Sequence, residues 1–273
     1  MKVWLDGALV DEDQARVSAF DHALLTGDGV FETLRVYRGV PFASRRHLER
    51  LATSAAALRL PCPAPELVRE AMGAVIAANK LEQGRMRITL TGGPSPLGSD
   101  RGDGVPTLIV AVGGVPAWPP TTDVVVVPWP RNERGALTGV KTVSYGENVV
   151  ALAYARDRGA GEAVFANLVG NLCEGTGTNV FVGVGGRLLT PPLSAGCLAG
   201  VTRDLLAEQV DVVEEDLPVG RLAAVDEAFV TSSTREVQPI RAVDGTVLPA
   251  APGPLTRAAA VAFTALVKRD LDP

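Results

Sequence analysis

Lysine is scarce in this sequence. Of 26 basic residues only four are lysines, Lys2, Lys80, Lys141 and Lys268, and the rest are arginines that never form a basic run. With a net charge of −5, that distribution argues against a nucleic-acid partner, which needs a cationic patch. Cysteine is sparse too: Cys62, Cys173 and Cys197 are odd in number and far apart, which fits neither a disulfide framework nor a zinc site. The two histidines, His22 and His47, add little ligand capacity, so no metal is expected. No stretch approaches the ~18–20 uninterrupted apolar residues of a membrane span, so no membrane partner is expected. The start, MKVWLDGALVDED, turns acidic at once and lacks an apolar leader. These absences together favour a reducing, cytoplasmic setting.

What remains is a chain of 273 residues, 47% hydrophobic and 21% charged, a folded globular balance with room for two domains. Residues 1–20 alternate and break at Asp6-Gly7, which predicts a hairpin; GVFETLRVYRGVPFA predicts a second, turning at Arg38-Gly39. A helix follows from Arg46 to Leu58, with Leu48, Leu51, Ala52, Ala55 and Leu58 on its apolar stripe and His47, Arg50 and Ser54 on another face. A second helix over 65–80 and strands in RMRITLTGG and TLIVAV complete the first half. The Pro- and Gly-rich segment GGVPAWPPTTD has no periodicity and marks a joint. Beyond it lie a strand in DVVVVPW, a helix from Glu147 to Arg158, and short strands in EAVFAN and TNVFVGV around the turn-rich LVGNLCEGTG. A helix then opens at Val201-Thr202, AFVTSSTREVQPI runs from a strand into a polar turn, and a closing helix ends near Lys268. The expected fold is α+β: a smaller N-terminal α/β domain over 1–115, a linker over 116–123, and a larger C-terminal mixed-sheet domain over 124–273.

The scarcity of lysine narrows the choice of an amine nucleophile. Lys2 is N-terminal, and Lys80 and Lys268 close helical patterns, where cations complement the helix dipole. Lys141 alone lies mid-chain in an apolar, turn-rich setting, GALTGVKTVSYGENVVALAYA. Partial burial lowers a lysine's pKa and exposes the lone pair a Schiff base needs. Pyridoxal 5'-phosphate (PLP) would also need a phosphate cradle and a charged partner for its ring nitrogen. Gly200-Val201-Thr202, Ser232-Ser233-Thr234, Arg50 and Glu174 could supply them. Each also has a plain reading, respectively as helix cap, turn, solvated arginine and turn acid.

The motifs FDHALLTGDGVFETLRVYRG, HLERL, KTVSYGEN, CEGTGTNVF, LAGVTR and DEAFVTSSTREVQPI follow one another from Val3 to about Gly245. In order and spacing the chain resembles the fold-type IV PLP enzymes, which include branched-chain and D-amino-acid aminotransferases and 4-amino-4-deoxychorismate lyases. The resemblance implies PLP linked to Lys141, which later shuttles the proton. It implies Glu174 against the pyridine nitrogen, and Arg50 on the phosphate with the Val201 and Thr202 amides, the Thr202 hydroxyl and Ser233. Tyr145 would face the cofactor's ring oxygen, and Thr234 and Arg235 would meet the substrate carboxylate. It also implies a homodimer acting on a small molecule.

Three features lean towards the lyase. FETLR lacks the glycine that branched-chain enzymes usually carry after the glutamate. Thr91-Gly92-Gly93 lacks the carboxylate-binding arginine of D-amino-acid aminotransferases. Thr26 stands where the branched-chain enzymes often have tyrosine at the substrate. The expectation is therefore a lyase forming 4-aminobenzoate and pyruvate, with an aminotransferase on a branched-chain or D-amino acid and a 2-oxo acid acceptor as the alternative. A non-enzymatic PLP-binding homologue is disfavoured by the intact set of Lys141, Glu174 and Arg50.

Overall fold

Alternating apolar side chains build the first sheet. In the computed structural model, which describes residues 1–273, the N-terminal elements are β1 (Lys2–Leu5), β2 (Ala8–Asp11), α1 (His22–Thr26), β3 (Gly29–Tyr37), β4 (Val40–Pro41), α2 (Ser44–Ala57), α3 (Pro65–Asn79), β5 (Gln83–Thr91) and β6 (Leu108–Gly113). Their strands pair antiparallel in the order β2-β1-β6-β5-β3-β4. Val30, Leu34 and Val36 of β3 and Met86, Ile88 and Leu90 of β5 share one core with Leu48, Leu51 and Ala55 of α2 and with Val68, Met72 and Val75 of α3. Successive strand residues alternate in direction, so Phe31, Thr33 and Arg35 of β3, with Arg85 and Arg87 of β5, take the face away from the helices.

This first unit is not made of residues 1–116 alone, because Val140–Tyr145 packs with it. The Phe31 N–H donates to the Lys141 carbonyl, and the Val143 N–H to the Gly29 carbonyl, each at 2.9 Å, and Val30 bridges to Thr142. A Cβ on Gly29 would stand 2.9 Å from the Leu90 carbonyl oxygen, so only glycine lets the strands close here. The expectation of an uninterrupted second domain over 124–273 is corrected accordingly. The N-terminal half of β3 needs hydrogen-bond partners on its second edge, and the Lys141 segment supplies them.

The second unit comprises Ala117–Gly139 and Gly146–Leu271. Its elements are β7 (Thr122–Val126), α4 (Gly146–Arg156), β8 (Glu162–Ala166), β9 (Leu172–Gly175), β10 (Asn179–Val184), β11 (Arg187–Thr190), α5 (Val201–Ala207), β12 (Val213–Glu214), β13 (Glu227–Ser232), β14 (Glu236–Val243), β15 (Thr246–Val247) and α6 (Pro254–Arg269). The sheet is mixed and runs β12-β11-β10-β13-β14-β7-β8-β9, with β15 paired to β14. Two strands depart from expectation. β9 lies in the segment expected to be a turn and pairs antiparallel with β8, and β14 lies where a polar turn was expected to follow β13. Pro239 argues against a strand, but it stands just before pairing with β7 begins at Ile240, beside a bulge. No helix is long and apolar enough to cross a membrane.

Candidate active site

Residues 47, 50 and 54 occupy one polar stripe of α2, as the helical spacing predicts. His47 Nδ1 lies 2.7 Å from Glu32 Oε2. Arg50 donates from Nε to Glu32 Oε1 at 2.8 Å and from Nη2 to Oε2 at 2.7 Å. Ser54 Oγ accepts the Lys141 N–H at 3.2 Å. Glu32 is wholly buried. Burial opposes its charge, but the charge and hydrogen bonds of Arg50, helped by His47, bring its pKa down to about 2. For His47, burial outweighs the pull of Glu32 and, with the nearby charges of Arg50 and Lys141, moves the ring below its ordinary value. His47 is therefore neutral at pH 7. Because ionised Glu32 can only accept, the His47 proton sits on Nδ1.

Lys141 directs its amine onto the β3 aromatic: Nζ lies 4.5 Å from the centroid of Phe31. Tyr145 meets the same ring edge-on, with centroids 5.2 Å apart and planes at 78°. The scarce mid-chain lysine thus lies beside a buried aromatic, and its charge is one of those that hold His47 below its ordinary value.

In the second unit, Glu174 is the third residue of β9 rather than part of a free turn. Its Oε2 accepts the Leu198 N–H at 2.9 Å, and its Oε1 lies 3.4 Å from Arg131 Nε. Arg131 is held in turn by Glu147 and Asn148 at the start of α4, at 3.0 and 3.2 Å, and stacks 4.1 Å from the Phe165 ring. The Leu198 carbonyl accepts from Asn179 Nδ2 at 2.8 Å. A Cβ on Gly200 would overlap the Asn179 amide, so that glycine permits the approach. Immediately after it, α5 opens at Val201 and Thr202, both buried, with no side chain capping its first turn. Ser233 and Thr234 are half-buried in the turn joining β13 to β14.

Two expected substrate contacts stand differently. Thr26 is exposed at the end of α1; its hydroxyl donates to the His22 carbonyl at 2.8 Å and borders a cavity of about 490 Å³ shared with His22, Asp28 and Arg101. Arg235 is engaged by protein groups. It donates to Gln238 Oε1 at 2.6 Å and the Gly161 carbonyl at 2.9 Å, lies 3.4 Å from buried Glu162 and stacks 4.0 Å from Trp118. Residues that sequence reasoning missed are Glu32, Arg131 and Arg87, whose guanidinium carbon lies 3.7 Å from the Phe31 centroid. The alternation of FETLR gave the only signal for Glu32; Arg131 and Arg87 look like ordinary loop and strand arginines.

Comparison with known proteins places this geometry. The profile of the class IV aminotransferases matches residues 29–243. A putative branched-chain-amino-acid aminotransferase of Methanocaldococcus jannaschii is 36% identical over 261 residues, covering 91% of this chain and 90% of that protein. A D-alanine aminotransferase of Bacillus licheniformis is 29% identical over 273 residues, covering 94% of each. The PLP-bound form of a hypothetical aminotransferase from Mycobacterium tuberculosis superposes with a TM-score of 0.88 at 27% identity, covering 99% of this chain and 100% of that one. The chain belongs to the class IV aminotransferase family, a fold-type IV enzyme family, and its cofactor is pyridoxal 5'-phosphate.

Proposed function

We propose that this enzyme transfers an amino group from a branched-chain or D-amino acid to a 2-oxo acid, with Lys141 as its catalytic base. The observation that carries the reading is the Lys141 amine over Phe31 beside a neutral His47, in a chain whose relatives named above are aminotransferases. Those relatives support the aminotransferase over the expected lyase, which is not carried forward.

The residues present fit the cofactor chemically. They offer one amine, an oriented guanidinium, uncapped first-turn amides and a carboxylate anchored by a backbone N–H. Bound PLP supplies an electron sink for the pair left when a Cα–H bond breaks. In our reading Lys141 Nζ would hold the cofactor and, when free of it, would take and hold the Cα proton. Glu174 holds a proton at the ring nitrogen, with its second oxygen fixed by the Leu198 amide. Arg50, with its plane set by Glu32, binds the phosphate together with the Val201 and Thr202 amides, the Thr202 hydroxyl and Ser233. Tyr145 donates to the ring oxygen, and Thr234 contacts the substrate. We further propose a cytoplasmic homodimer, with the exposed apolar side chains of Phe20, Leu24, Leu97, Val149 and Val169 as candidates for its buried face.

The test offers the purified holoenzyme a panel of L- and D-amino acids, with 2-oxoglutarate or pyruvate as acceptor, and aminodeoxychorismate in parallel. Bleaching of the yellow absorbance by one amino acid and its recovery on adding the acceptor is the expected result. Formation of 4-aminobenzoate without any acceptor, and no response to amino acids, would overturn it.

A further inference from the structure

Lys141 hangs between two elements of the first unit. Its N–H is held by Ser54 of α2, and its carbonyl by the Phe31 N–H of β3. The Gly29 carbonyl, at the start of β3, accepts the Val143 N–H at 2.9 Å and the Thr142 hydroxyl at 3.1 Å. The place of the amine therefore depends on how the end of α2 sits against the start of β3. Arg101, in the loop between β5 and β6, ties the two together. It donates from Nε to Asp28 Oδ2 and from Nη2 to Asp28 Oδ1, both at 2.7 Å, and Asp28 immediately precedes Gly29. The same guanidinium donates from Nη1 to the Arg59 carbonyl at 2.9 Å and from Nη2 to the Leu58 carbonyl at 3.1 Å. These carbonyls lie at the end of α2, where no helical N–H remains for them to accept.

Asp28 is also held from the other side. His22 Nδ1 lies 2.7 Å from Asp28 Oδ2, and His22 Nε2 lies 2.8 Å from the Gly98 carbonyl, in the same loop as Arg101. A carbonyl and an ionised carboxylate can only accept, so both ring nitrogens carry protons here. The chain makes room for this clip. A Cβ on Gly92 would stand 2.6 Å from Asp28 Oδ2, 3.0 Å from the His22 Cβ and 3.2 Å from Arg101 Nε, so a side chain there would push the carboxylate out of the fork. Gly92 does not have a positive φ, so space rather than a turn requires the glycine. Arg101 and Asp28 are 22% and 11% exposed, and for a pair so far removed from water desolvation offsets much of the attraction. What the two-pronged contact supplies is a fixed geometry. Resting on the assignment of the cofactor to Lys141, we propose that Arg101 is a positioning residue: by clipping the end of α2 to Asp28 it fixes the segment that carries the Lys141 amine.

Three measurements on the holoenzyme test this: amide exchange at Phe31 and Val143, visible circular dichroism of the bound cofactor, and turnover. In Arg101→Gln the two amides exchange about 10- to 100-fold faster, the range for losing one charge-assisted contact, while the β13 amides keep their rates. The dichroism falls at unchanged cofactor absorbance, because the amine no longer holds one orientation. Turnover shows kcat lowered by roughly 10- to 100-fold with little change in KM, since a misplaced amine slows the chemistry rather than weakening binding. Arg101→Lys, whose point charge cannot span both Asp28 oxygens and the two carbonyls, recovers part of each loss. Gly92→Ala reproduces the losses without removing a charge, and adds little in the Arg101→Gln background because both act on one contact. Wild-type exchange in Arg101→Gln overturns the proposal, as does a fully additive double variant. Faster exchange with wild-type dichroism and kcat also overturns it, leaving Arg101 a structural tie. If Arg101→Gln does not fold, Arg101→Lys and Gly92→Ala decide the matter by the same three measurements. A borohydride-fixed pyridoxyl group on another lysine fails the Lys141 assignment, whereas exchange at Phe31 and Val143 still decides the clip.

Discussion

Glu32 holds Arg50 through both oxygens, Oε1 to Nε at 2.8 Å and Oε2 to Nη2 at 2.7 Å. Because the pKa of buried Glu32 falls from an ordinary 4.5 to about 2, its ionised form stabilises the fold above pH 4.5, and that contribution is lost as pH drops towards 2. The linkage amounts to about 3 kcal/mol. Urea midpoints measured across that window should fall more steeply for the wild type than for Glu32→Gln. The variant should also be less stable at pH 7, by about 3–5 kcal/mol, because Arg50 loses its partner. Parallel curves would show that the pair contributes no linkage.

The two histidines should titrate on opposite sides of 6.5. The hydrogen bond to Asp28 raises His22, whereas burial lowers His47. Stability from His22 is present below 6.5 and is lost as pH rises through its folded value. Stability from neutral His47 is present above 6.5 and is lost as pH falls. Ring-proton NMR titration would assign both, and a common midpoint would contradict the assignment.

Lys141→Ala should fold normally but show neither yellow absorbance nor turnover. Peptide mapping of the borohydride-reduced wild type is the direct measurement. A pyridoxyl group on Lys2, Lys80 or Lys268 would remove Lys141 from its role.

Glu174→Gln should still bind PLP and lose most of its activity, since an amide cannot hold the ring nitrogen protonated. The barrier should rise by roughly 3–4 kcal/mol, the effect of removing one preorganised electrostatic partner. Turnover near the wild-type rate with saturating cofactor would reduce Glu174 to a strand residue.

The helical spacing of α2 was legible in the sequence: both its apolar stripe and its polar face at 47, 50 and 54 are where the periodicity puts them. Lys141 emerged by elimination because lysine is rare. Glu32 did not emerge, since nothing in FETLR shows that a carboxylate will be buried against a helix that follows later in the chain. β9 was hidden because Glu174, Gly175 and the residues after them look like a turn, and it is pairing with β8 that extends them. Arg235 shows the converse problem. The same Thr-Arg pair suits a substrate contact or a tie to protein groups, and nothing in the sequence reveals its contacts with Trp118, Glu162 and Gln238.

The return of Val140–Tyr145 to the first sheet bears on how this protein is made. A nascent chain that has emerged only to Pro116 lacks the hydrogen-bond partners for Phe31 and Gly29, and β3 keeps an open edge until residue 145 follows. Released alone, a fragment of residues 1–116 would therefore be prone to aggregate rather than behave as a stable domain, and a cut between Gly139 and Gly146 would loosen the segment that closes the edge of β3.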